Sequence, residues 1–218
     1  MQRRPTDALL VIDVQKDFCP AVNGIGGALA VAEGDGVVPV INVLARKFDH
    51  VILTQDWHPA GHISFASTHS KHPYETIEIS YGPQTIIQTL WPEHCLQHSE
   101  GAAFHPALEI PHAELILRKG FRQAIDSYSA FLENDHGTPT GLTGYLRERG
   151  FTRLFLCGLA YDFCVRYSAI DGKHLGFETI VVEDATRAVN LLGSVAETNA
   201  AFAVANISRI QSADIPAR

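Results

Sequence analysis

The stretch ALLVIDV, Ala8 to Val14, constrains the fold most. It is a continuous apolar run that ends at an acid. Such a run suits a strand buried on both faces, as in a parallel sheet covered by helices. HVILTQD (50–56), AELILRKG (113–120), TRLFLCG (152–158) and ETIVVED (178–184) repeat the pattern, and ISRI (207–210) makes a short sixth strand. Helical segments fall between them: VVPVINVLARKF (37–48), with Pro39 near its first turn, GLTGYLRERG (141–150), DFCVRYSAIDGKHLG (162–176) and SVAETNAAFAVAN (194–206). The alternation predicts an α/β fold of three layers, a doubly wound and mainly parallel sheet of about six strands with helices on both faces.

The 218 residues fit a single domain spanning 1–218. Within it, Trp57 to Pro111 is rich in Pro, Gly and His and lacks clear periodicity. A compact domain seldom keeps so long an irregular connection, here about 55–112, unless it builds a site. A net charge of −7 argues against a nucleic-acid partner. No apolar stretch is long enough to span a bilayer, and Met1 to Asp7 is too polar for a secretory signal. Cys19, Cys95, Cys157 and Cys164 show no paired spacing, which favours free thiols in a reducing cytoplasm.

Ligands of open parallel sheets bind beyond the carboxyl ends of the strands. Four groups stand at such ends: Asp13, Asp56 followed by His58, Lys119, and the turn from Gly158 to Cys164. With Asp162 as cap, Cys164 would occupy the first turn of a helix. Unpaired N–H groups there would lower its pKa and hold an oxyanion. Alone, a free cysteine is most often packing, as Cys157 inside its strand should be. Together the groups make chemical sense, since Asp13 can take the thiol proton and the Lys119 ammonium can stabilise both charges. Eight of the 11 histidines lie between His58 and His112. Asp56 and His58, two apart in an extended segment, can face one ion, with His94 of WPEHC supplying a third donor. One carboxylate and two imidazoles suit Zn²⁺, Fe²⁺ or Mn²⁺.

Taken together, ALLVIDVQKDFC, TQDWHPAGHISFAS, WPEHCLQHSEGAAFHP, RKG, DSYSAF and GLAYDFCV resemble, in order and over nearly the whole chain, the nicotinamidases of the isochorismatase-like cysteine hydrolases. The resemblance implies that fold and a catalytic triad of Asp13, Lys119 and Cys164. It implies an oxyanion hole from the N–H groups of Ala160 and Cys164, with a cis peptide between Leu159 and Ala160. One divalent metal, zinc before iron or manganese, would sit on Asp56, His58 and His94, with His62 or Ser64 as further candidates. Phe18, Trp91 and Tyr128 would line a pyridine pocket. The implied reaction converts nicotinamide to nicotinate and ammonia in NAD salvage, and pyrazinamide to pyrazinoate. The implied partner is this small substrate, with no membrane, and a homo-oligomer stays open. Competing expectations are another amide hydrolase of the group, an isochorismatase, or a binding module that kept the fold without turnover.

Overall fold

The computed structural model describes residues 2–217. Its strands are β1 (Asp7–Ile12), β2 (Val51–Asp56), β3 (Thr76–Tyr81), β4 (Gln84–Thr89), β5 (Leu115–Lys119), β6 (Arg153–Leu159), β7 (Glu178–Arg187) and β8 (Ser208–Ile210). Six of them form one parallel sheet in the order β5-β2-β1-β6-β7-β8. The chain builds outward from β1 to β5, then restarts on the other side of β1 with β6. The strand order therefore reverses between β1 and β6, where a crevice opens at the carboxyl ends.

The helices are α1 (Val37–Ala45), α2 (Leu142–Glu148), α3 (Arg166–His174) and α4 (Ser194–Val204). β1 explains the layering, because its side chains alternate between two cores. Leu9 and Val11 pack with Val38, Ile41 and Leu44 of α1. Ala8, Leu10 and Ile12 pack with Leu142 and Leu146 of α2, Ala169 of α3 and Phe202 of α4. Both faces are covered, so a strand without polar alternation is what this position requires.

Three features depart from the sequence reading. β5, expected to be buried on both faces, is an edge strand whose Ile116 and Arg118 are exposed. β7 runs three residues past ETIVVED to Arg187. The region 57–111 holds an antiparallel hairpin, β3 paired with β4 around Gly82 and Pro83. TIEISY alternates strictly and QTIIQT does not, but neither is a continuous buried run, so the pair escapes a search for such runs. The rest of the region is threaded back along itself. His58 N–H donates to Cys95 O at 3.0 Å and Gln97 N–H to His58 O at 2.9 Å. These bonds set WPEHC beside DWH.

Gly158 lies where β6 meets β1 at the crevice. Its φ is +106°, and a Cβ there would stand 2.0 Å from Ile12 O. Gly158→Ala should therefore destabilise the protein by roughly 3 kcal/mol or more, since strain and a backbone clash add. Cys157→Ala, one residue earlier and fully buried, should cost only about 1 kcal/mol or somewhat more. Urea midpoints compare the two, and equal losses would contradict this packing.

Candidate active site

Lys119 ends β5, in register with Asp56 at the end of β2. Its ammonium has no solvent exposure and lies 2.5 Å from Asp56 Oδ1 and 2.9 Å from Asp13 Oδ2. It donates to Ser127 O at 2.9 Å and to Cys164 Sγ at 3.4 Å. Asp13, just after β1, has a left-handed φ of +48°, rare for a residue with a side chain. Thr54 of β2 fixes it, donating from Oγ1 to Asp13 Oδ1 at 2.6 Å. Asp13 Oδ2 receives no aligned hydrogen bond. Oxygens of Asp13 and Asp56 and the Cys164 sulfur all fall within 4.8 Å of one another. An Asp13 oxygen thus lies within 4.8 Å of the Cys164 sulfur.

Burial dominates the proton affinities. It pushes the Asp13 carboxyl up, against the pull of Lys119. It pushes the Cys164 thiol well up, with Lys119 opposing and the two aspartates reinforcing. It opposes the Lys119 ammonium, but Asp13 and Asp56 outweigh it and hold that proton firmly. The lowered thiol pKa expected from a helix start is therefore corrected. The arrangement favours a resting thiol beside a carboxylate whose basicity burial has increased.

The expected cap is also corrected. Cys164 lies in one widened turn, Tyr161–Val165, in which Val165 N–H donates to Ala160 O at 3.1 Å, and α3 begins after it. Asp162 faces away from this turn. Its buried carboxylate accepts from Val189 N–H at 2.9 Å, Asn190 N–H at 2.7 Å and Ser194 Oγ at 2.5 Å. It ties the loop before α4 to the turn that carries Cys164. The Leu159–Ala160 peptide is cis, and Ala160 is buried beside Cys164.

Asp56 divides its oxygens. Oδ1 faces Lys119, while Oδ2 lies 3.5 Å from His58 Nε2 and 3.9 Å from His94 Nε2. His58 Nδ1 lies 2.8 Å from Gly120 O, and His94 Nδ1 lies 2.8 Å from Pro92 O. Each ring can donate from Nδ1 and present an Nε2 lone pair, the tautomer a metal requires. Burial, reinforced by His58, holds His94 down to about 4, so its imidazole is neutral near pH 7. Burial works against the His58 imidazolium, and Asp56 more than offsets this and raises it. Burial works against the Asp56 carboxylate, yet Lys119, then His58 and His94, keep it below the usual range. This donor set fits a divalent ion. His62 groups instead with His58 and Asp126, and Ser64 Oγ meets His62 Nδ1 at 2.8 Å.

Phe18, Trp91 and Tyr128 line one pocket with Asp56, His58, His94 and Cys164. The pocket is a narrow cavity of about 30 Å³ that opens to solvent at its mouth. Trp91 and Tyr128 meet Phe163 edge to face at centroid distances of 4.8 and 5.5 Å. Phe163, Asp126, Leu29 and Val189 complete the wall and went unrecognised in the sequence. Phe163, next to Cys164, and Asp126, opening DSYSAF, lay within the motifs. Leu29 and Val189 had no local signal.

Residues 7–212 match the isochorismatase domain. The chain belongs to that family. Within the isochorismatase family, a nicotinamidase of Acinetobacter baylyi (strain ATCC 33305 / BD413 / ADP1) is 47% identical over 216 residues, covering 99% of this chain and 97% of the relative. An L. infantum protein solved with nicotinate superimposes with a TM-score of 0.85 at 35% identity, covering 100% of this chain and 99% of its own. A Pyrococcus horikoshii pyrazinamidase solved with zinc gives a TM-score of 0.75 at 32% identity, covering 95% and 99%.

Replacing Lys119 leaves two buried carboxylates without their cation. Lys119→Met should cost about 3–5 kcal/mol. The loss should be larger at about pH 8 than at about pH 5, with the sign set as follows. Without the ammonium, burial and Asp56 raise the Asp13 carboxyl further. The folded state then binds the proton more tightly than the unfolded one, and stability falls as pH rises through the folded value. Urea midpoints at both pH values check this, and a loss independent of pH would contradict the pairing.

Proposed function

We propose that the chain is a metal-containing cysteine amidohydrolase that converts nicotinamide to nicotinate and ammonia, and pyrazinamide to pyrazinoate. One observation carries this reading: the Cys164 sulfur, 3.4 Å from the Lys119 ammonium, opens into the same aromatic pocket as the Asp56–His58–His94 cluster. The Acinetobacter baylyi nicotinamidase and the nicotinate-bound and zinc-bound neighbours support it. The four buried, free cysteines support a reducing, cytoplasmic setting.

The ring enters between Phe18, Trp91 and Tyr128. Asp13 takes the Cys164 proton, and the thiolate attacks the amide carbon. The N–H groups of Ala160 and Cys164 hold the resulting oxyanion. Asp13 returns the proton to the departing ammonia and leaves a thioester on Cys164. Asp13 then takes a proton from water, which attacks the thioester. Nicotinate leaves, and the proton returns to the sulfur. Throughout, Lys119 keeps its own proton and stabilises whichever neighbour carries the negative charge. Asp56, His58 and His94 would hold a divalent ion, zinc before iron or manganese, whose chemistry is a Lewis-acid anchor for the ring nitrogen.

Two outcomes test this scheme. Cys164→Ala should abolish ammonia release while far-ultraviolet circular dichroism and bound metal stay unchanged. Retained turnover, or loss only in step with unfolding, would return Cys164 to packing. For the ring nitrogen, kcat/KM measured with metal-replete enzyme should be similar for nicotinamide and pyrazinamide and lower by roughly 10⁴-fold for benzamide. Comparable values for benzamide and nicotinamide would remove the anchoring role.

A further inference from the structure

The β3–β4 hairpin pairs with no strand of the parallel sheet, and most of β4 is exposed or partly so. Gln88 is the exception, with 0% exposure. Its Nε2 lies 2.8 Å from Asp126 Oδ2, 3.0 Å from Tyr128 Oη and 2.8 Å from Thr89 O. Its Oε1 accepts from Asn134 Nδ2 at 3.1 Å, and Asn134 Oδ1 accepts from Tyr128 N–H at 3.0 Å. Tyr128 Oη also accepts from Trp91 Nε1 at 2.9 Å. Burying an amide costs free energy that an apolar side chain of the same length would avoid. Sealing the hairpin against the body needs no such amide. The bonds Gln88 makes converge on Asp126 and Tyr128, two residues of the pocket wall.

We propose that Gln88 is a positioning residue for substrate binding: from the hairpin, it fixes the Tyr128 ring and the Asp126 carboxylate as the outer wall of the pocket. The proposal rests on the nicotinamide reading and adds a division of labour to it. The reacting groups stand just after β1, on β5 and in the turn after β6, whereas the aromatic wall is held from outside the sheet. Lys119 anchors Ser127 O between the two wall residues, so the backbone is tied to the reacting groups while the side chains are tied to Gln88. Loosening Gln88 should therefore weaken ring binding and leave the chemistry intact.

The experiment is steady-state ammonia release from nicotinamide by wild type, Gln88→Met, Gln88→Ala, Tyr128→Phe and the Gln88→Met/Tyr128→Phe double variant. Iodoacetamide alkylation of Cys164 and thermal unfolding are measured on each. Gln88→Met keeps the side-chain length and removes every hydrogen bond. It should raise KM roughly tenfold, with kcat within about a factor of two, because misplacing a binding group by a fraction of an ångström is costly. Alkylation should match wild type. The double variant should lose less than the product of the two single losses, because both remove the Gln88–Tyr128 bond. Unchanged KM in both Gln88 variants overturns the proposal. So does a fall in kcat that follows the unfolded fraction, which marks Gln88 as structural, and so does strict multiplicativity in the cycle. A wild type that releases no ammonia overturns the nicotinamide reading and this inference with it, whereas an active wild type matched by its Gln88 variants overturns the inference alone.

Discussion

One buried ammonium organises this molecule. Lys119 stands on β5, an edge strand of the sheet, and its side chain reaches across the carboxyl ends of β2 and β1 to the turn after β6. An unpaired charge so deeply buried is prohibitive, so the fold has to bring it partners. It brings Asp56 from β2, Asp13 from beyond β1 and the carbonyl of Ser127. The reversal of strand order between β1 and β6 makes room for these groups in one crevice. Without the ammonium the two aspartates would repel each other, and the sheet edge that carries the site would lose its reason to close.

The same cation joins two chemistries. Asp56 offers one oxygen to Lys119 and the other to the face it shares with His58 and His94, so the candidate metal cluster and Cys164 share a single carboxylate–ammonium pair. A change on either side is felt by the other through Asp56. Burial raises both the Asp13 carboxyl and the Cys164 thiol, which favours a resting thiol with its base alongside.

Much of this was legible in the sequence because burial on both sheet faces leaves an unmistakable apolar run. Asp13 and Asp56 follow such runs on β1 and β2 and mark the crevice directly, whereas Lys119 ends the half-exposed edge strand β5 and stood out mainly beside the other groups. What stayed hidden depends on contacts far apart in the chain. Asp162 looks like a helix cap beside Cys164, yet its acceptors are satisfied by Val189, Asn190 and Ser194, a choice that local sequence does not encode. The raised thiol follows from burial set by distant contacts, which opposes any benefit of a helix start. The hairpin was missed because neither strand is a continuous apolar run, although TIEISY does alternate, and Gln88 because a glutamine on such a strand ordinarily faces water.

The central claim is that the Cys164 sulfur carries the acyl group while Asp13 and Lys119 manage charge around it. Rapid acid quenching of the enzyme during nicotinamide turnover, followed by mass analysis of the Cys164-containing peptide, tests it most directly. The account predicts a nicotinoyl group on that cysteine, present during turnover and gone once substrate is exhausted. Sustained ammonia release with the acyl group on another residue, or with none on the protein at any quench time, would contradict it.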